Sequence, residues 1–171
     1  RKLDKNEAIN EATKRMSAEL LDREGKKSNL MLYGLNEPPT SVKGVERKNI
    51  DIAGVKGMFT EMNVKPETND EIKFSFRVGE LTDKVVDEPR PLCIGLRNTE
   101  ARDHVLSKAK NLGKSRNFYS ISIVPDLTKM QREEDRNLKN EADQKNRDMT
   151  EDERLNWNYR CIGTKGARKV V

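Results

Sequence analysis

Along residues 27–127 the spacing of apolar positions changes repeatedly, and each change predicts a new element. Asn29-Leu30-Met31-Leu32-Tyr33-Gly34-Leu35 is a short apolar run closed by a glycine turn, the pattern of a strand. In Glu37-Pro38-Pro39-Thr40-Ser41 the adjacent prolines cannot pair in a ladder, so the segment is loop. Over residues 45–62, Val45, Ile52, Val55, Met58, Phe59 and Met62 suit a helix packed on a sheet, weakened but not broken by Gly54 and Gly57. Residues 71–79 alternate, which predicts a half-buried antiparallel strand with Ile72, Phe74, Phe76 and Val78 inward and Lys73, Ser75 and Arg77 outward. A polar loop over 80–88 leads to Pro89-Arg90-Pro91 and a third strand, whose Leu92, Ile94 and Leu96 face the core. Residues 100–112 read as a helix with Val105, Leu106, Ala109 and Leu112 inward and Asn98 or Thr99 as its N-cap. Tyr119, Ile121 and Ile123 alternate as a fourth strand.

The flanks follow other rules. In residues 1–26 Ile9, Ala12, Met16 and Leu20 recur at spacings of 3, 4 and 4, an apolar stripe too thin to hold a helix without a partner. It reads either as the end of a longer coiled coil or as a solvated helix capping the domain; Asn6 and Thr13 interrupt the heptads. A start at Arg1, not methionine, fits a segment of a longer protein. Thr128-Lys129-Met130-Gln131 is a capping box opening a charged helix toward Arg147, with only Met130, Leu138 and Ala142 apolar. Thr150 and Glu153 form a second box, and residues 157–171 suggest a β-hairpin turning at Gly163-Thr164-Lys165-Gly166. The expected class is therefore α+β in three parts. These are an N-terminal helix (1–26), a ferredoxin-like βαββαβ domain (27–127) and a helix-hairpin extension (128–171). That split βαβ plan is shared by the RNA recognition motif, and a plan alone does not give a function.

Composition narrows the classes. With 33% hydrophobic and 37% charged residues, the core must be concentrated in part of the chain. No apolar run approaches the ~20 residues of a membrane span. Cys93 and Cys161 have no CxxC partner and read as thiols of a reducing compartment, and the single histidine, His104, argues against a zinc site. The net charge of +5 favours an anionic partner only weakly. No metal or other cofactor is expected. His104 lacks a nucleophile at helical spacing, and Gly163-Thr164-Lys165-Gly166 lacks the strand and helix of a phosphate loop, so catalysis is not expected.

Binding chemistry is more legible. The open sheet face is expected to carry Met31, Tyr33, Lys73, Ser75, Arg77, Cys93 and Arg97. The stacking aromatics of an RNA recognition motif are replaced by Met31 on the first strand and by Pro91 and Cys93 on the third. What remains suits phosphates and non-specific single strands. A lone surface arginine more often pairs with Glu or Asp; the grouping of Lys73, Arg77, Arg90 and Arg97 is what points to nucleic acid. Lys114 and Arg116 add a basic loop, and Trp157, Tyr159, Arg160, Lys165, Arg168 and Lys169 interleave aromatics with cations in the tail. Trp157 reads equally well as an anchor for a small core.

Several motifs, in order, resemble the protein encoded by the first open reading frame of LINE-type (non-LTR) retrotransposons. Ser28-Asn29-Leu30-Met31-Leu32-Tyr33-Gly34-Leu35-Asn36-Glu37 is similar to that family's opening strand, and Phe76-Arg77-Val78-Gly79 to its Arg-hydrophobic-Gly element. Arg90-Pro91-Leu92 resembles the start of its third strand, and Pro125-Asp126-Leu127-Thr128 with Gln131-Arg132 the joint that ends its RNA recognition motif. The resemblance implies a trimeric coiled coil, an RNA recognition motif and a C-terminal domain that clamps single-stranded RNA. It also implies a ribonucleoprotein of the cytoplasm, and of the nucleus as a second location, with nucleic-acid chaperone activity. Arg77 and Arg90 fall on its RNA-contact positions and Thr128 on its hinge; CCHC knuckles are missing and the tail is shorter than a whole C-terminal domain. The expected function is non-specific binding of single-stranded RNA, or of single-stranded DNA, by a homo-oligomer assembled through the first helix. The alternative is a protein-interaction module on the same fold.

Overall fold

The computed structural model describes residues 2–81, 89–163 and 166–171. In chain order the elements are α1 (Lys2–Lys26), β1 (Asn29–Tyr33), α2 (Gly44–Glu61), β2 (Ile72–Arg77), β3 (Leu92–Leu96), α3 (Thr99–Lys108), β4 (Ser122–Pro125), α4 (Lys129–Asp148), α5 (Glu151–Asn156), β5 (Cys161–Ile162) and β6 (Lys169–Val170). The chain divides into two compact units, one of residues 26–126 and one of residues 1–25 with 127–171.

The first of these units is mixed α+β, built on a four-stranded antiparallel sheet in the order β2-β3-β1-β4. The two apolar runs of the sequence, β1 and β3, become its central strands, where hydrogen-bonded neighbours on both sides leave little backbone exposed. Leu30, Leu32, Leu92, Ile94 and Leu96 point to one side and are sealed by Val55, Met58 and Phe59 of α2 and by Val105 of α3. Asn98 caps α3, its side-chain oxygen accepting from Ala101 N at 2.8 Å. Two sequence expectations fail at the edges. Val45 is exposed, because it sits in the first turn of α2 away from the core. Tyr119 is exposed ahead of the fourth strand, which begins only at Ser122, although Ile121 and Ile123 are buried as expected.

The larger correction concerns β2. Phe74, Phe76 and Val78 are exposed, while Ser75 and Arg77 turn toward α2, the reverse of the face read from the alternation. The cause is a β-bulge. Ile72 pairs with Leu96 but Phe74 pairs with Gly95, so Lys73 is an extra residue and every side chain after it changes face. Gly95 makes room for this arrangement: a Cβ there would lie 2.2 Å from Phe74 Cε1.

In the other unit Thr128 opens α4 with both bonds of a capping box: its hydroxyl accepts from Gln131 N at 3.1 Å, and Gln131 Oε1 accepts from Thr128 N at 3.0 Å. The buried hydroxyl also donates to Glu19 Oε1 at 2.5 Å, and Arg23 bridges Glu19 and Glu134, which ties α1 to α4. The stripe Ile9, Met16 and Leu20 is exposed on α1. A second capping box starts α5, with Glu153 N donating to the Thr150 hydroxyl at 3.3 Å. The hairpin is short, two residues per strand in β5 and β6, extended by a backbone pair between Arg160 and Val171. Thr164 and Lys165 of its expected turn, and residues 82–88 of the expected loop, lie outside the described residues.

Candidate nucleic-acid interface

Because β2 is turned over, the open side of the sheet is aromatic. The Phe74 and Phe76 rings stack with centroids 5.9 Å apart and planes 22° from parallel. They lie at the sheet edge with 37% and 54% of their surface exposed, and Tyr33 on β1 adds a third ring, 45% exposed. Across the ladder Phe76 stands opposite Cys93, Cys93 opposite Met31 and Met31 opposite Val124, so this row is apolar from edge to edge. Cys93 is buried within it; burial, and then the charge of Asp126, push its thiol up to about 11, which keeps it protonated and unreactive at neutral pH. Gly34 turns the chain after Tyr33 at φ +83°, with Ser120 O only 3.0 Å from where a Cβ would stand. That close approach brings the loop carrying exposed Tyr119 to the end of β1. Lys73 in the bulge and Arg97 beyond β3 are exposed, with no ion pair to a described residue.

Two arginines expected to meet phosphate are held elsewhere. Arg77, whose side chain is 4% exposed, points to the helix side. Its Nε and Nη2 donate to Asp51 Oδ1 at 3.1 and 2.6 Å, Nη1 to the carbonyls of Leu35 and Arg90, and Nη2 to that of Asn36. All five N–H groups of the guanidinium are used. Arg90 grips Glu37 through Nε and Nη2 at 2.9 and 2.5 Å and donates to Gly79 O, while Arg47 holds the same carboxylate at 2.5 Å. These residues lock the loop after β1 and the start of β3 onto α2, and in this role neither Arg77 nor Arg90 is a free cation of the open face.

Burial pushes the Glu37 carboxyl up, but hydrogen bonds from Arg90 and then Arg47 outweigh it and hold the group down at about 2. A folded-state value below the unfolded one means the carboxylate's contribution is complete above about pH 4.5 and is lost as pH falls toward 2. Glu37→Gln is therefore expected to flatten the acid limb of the stability–pH curve between those values, measured by urea unfolding at stepped pH. An unchanged acid limb would show that the two arginines do not depend on this charge.

The remaining candidates divide between the units. Lys114 and Arg116 are exposed around Ser115, whose hydroxyl bonds Glu61 of α2. In the other unit Trp157 is 47% exposed, so it is not a core anchor. Its ring meets Tyr159 edge-on at 4.9 Å, and Lys145 Nζ of α4 lies 5.2 Å from the Tyr159 centroid. Asn146 fixes this segment by accepting from Tyr159 N at 2.7 Å and donating to Tyr159 O at 2.9 Å. Arg160 and Lys169 are exposed, whereas Arg168 pairs with Asp135 at 3.7 Å. Lys165 lies outside the described residues.

Sequence reasoning missed Phe74, Phe76, Tyr119 and Lys145. Gly95 opposite a phenylalanine was a usable signal for the first two, since a ring needs an empty neighbour to lie flat on a sheet. Among the described residues no group of three His, Cys, Asp or Glu side chains is placed to hold a metal ion, and no helix is long and apolar enough to cross a membrane. No protein-family model matches the chain, and no curated protein matches it.

Proposed function

We propose that residues 26–126 are an RNA recognition motif of the split βαβ plan that binds single-stranded RNA without base specificity. The element order from β1 to β4 and the strand order β2-β3-β1-β4 support the plan. The observation that carries the function is the exposed Phe74–Phe76 stack sharing a face with Tyr33, with Lys73 and Arg97, which pair with no described acid, at its margin. Every base has a π-face, so such rings accept any sequence at ~1–3 kcal/mol per base, while cations track the backbone. Trp157 and Tyr159 with Lys145 offer a second aromatic-cation group in the other unit. Together with the ordered motifs, this fits the RNA-binding, chaperone-type protein of a LINE-type ribonucleoprotein.

Fluorescence anisotropy of a labelled single-stranded RNA across a salt series tests this. Binding should weaken with a log–log slope of roughly −0.7 per phosphate neutralised. A folded protein that fails to bind at low salt would exclude it.

A second observation favours self-association. Met16 and Leu20 of α1 and Met130 of α4 line a groove of about 710 Å³ that no described residue fills. A second copy of α1 is the occupant that the coiled-coil reading calls for. Light scattering should then give a mass above 19.6 kDa for the parent, and 19.6 kDa for Met16→Glu/Leu20→Glu. A parent that is already monomeric at high concentration would rule it out.

A further inference from the structure

A pocket of about 210 Å³ opens between the first turns of α2 and the β2 edge of the sheet. Its wall carries Arg47, Lys48, Arg77 and Arg90 against a single carboxylate, Asp51. The acceptors here are already committed: Asp51 to Arg77, and Glu37 to Arg47 and Arg90. The donors are not. Ser75 Oγ and Arg47 Nε are both buried without a hydrogen-bond partner among the described residues, and Lys48 is exposed at the rim with no ion pair to a described residue. A buried N–H or O–H left unpaired is costly and uncommon, and a small rotation of these two side chains would turn both donors to an acceptor in the cationic pocket that their residues line. That acceptor must be small, anionic and rich in oxygen, which describes a phosphate group.

Phe76 borders both places: its ring is half of the exposed stack, and the residue sits between Ser75 and Arg77 along the pocket. We propose that the pocket holds one backbone phosphate of the nucleotide whose base stacks on Phe76. A strand bound this way wraps the β2 edge, with its base on the open face and its phosphodiester against Ser75, Arg47 and Lys48. The proposal rests on the single-strand reading for the source of the phosphate; a free phosphate is the other source of the same chemistry.

Two variants leave the Arg77–Asp51 and Glu37 bonds intact. Lys48→Ala should bind single-stranded RNA about fivefold more weakly at 0.1 M salt and flatten the log–log salt slope by ~0.7, the effect of one phosphate contact. Ser75→Ala should melt at or above the temperature of the parent, because it removes an unpaired buried hydroxyl, and yet bind RNA several-fold more weakly. A purely structural serine would not separate those two readouts. A parallel titration with inorganic phosphate, read from the amide resonances of Ser75 and Lys48, distinguishes the sources. If both variants bind RNA as the parent does, the phosphate assignment is overturned while base stacking stands. If, in addition, phosphate alone shifts these resonances in the parent and not in Ser75→Ala, the pocket takes a free phosphate and the strand is excluded. A parent that binds no RNA overturns this proposal and the function above it together.

Discussion

Arg77→Ala should cost the protein about 3–5 kcal/mol of stability, read as a lower urea midpoint at unchanged slope. More than the lost side chain, the cost lies in what it leaves behind. Asp51 is 5% exposed and would keep a buried charge without its ion-pair partner, and the carbonyls of Leu35, Asn36 and Arg90 would lose their donor together. Against a typical total of about 5–15 kcal/mol, such a loss leaves a protein that is barely folded. Arg77→Met/Asp51→Leu should recover a good part of it, since replacing both partners of a buried pair with apolar groups avoids the orphaned charge. Equal destabilisation by the single and double variants would mean that the carbonyl bonds, not the ion pair, dominate. An Arg77→Ala variant as stable as the parent would remove the arginine from its structural role and return it to the candidates for RNA contact.

Phe76→Ala should do the opposite, with little loss of stability and a large loss of binding. The ring is 54% exposed, so its truncation opens no core cavity. Removing one stacking platform should weaken single-stranded RNA binding by ~1–3 kcal/mol, about five- to 150-fold. The salt slope should stay where it was, because no charge has been removed. Arg97→Ala, by contrast, should flatten the slope by ~0.7 with a smaller loss of affinity. Anisotropy at several salt concentrations separates the two behaviours. A Phe76→Ala variant with parental affinity would take the sheet face out of the binding site.

The elements themselves were legible because each has a local cause. Asn98, Thr128 and Thr150 announce helix starts by their own side chains, and the apolar runs of β1 and β3 leave no position for them but the sheet centre. The face of β2 was not legible, because alternation gives a strand's period but not its phase. Ile72, Phe74, Phe76 and Val78 look like the inward set until one extra residue at Lys73 separates the first from the rest. Arg77 can then point inward only because α2 places Asp51 beneath it. That aspartate sits at the same helical face as Val55, Met58 and Met62, all buried, and an acid at such a position needs a cation from somewhere. The match between Asp51 and Arg77 was thus written in the sequence, but only for a reader who already knew that β2 runs beside α2. Glu37 between Arg47 and Arg90 is harder still, since loop, helix and strand start meet there only in three dimensions. In the tail, the aromatic-cation pattern was visible, but the cation that lies over the Tyr159 ring is Lys145 of α4, distant in sequence.

Base stacking on the open sheet face is tested most directly by zero-length ultraviolet crosslinking of bound single-stranded RNA, with the modified residues located by mass spectrometry. Crosslinks at Phe74, Phe76 and Tyr33 are the expected result. Crosslinks confined to α1, α4 or the hairpin, with none on the sheet, would contradict it.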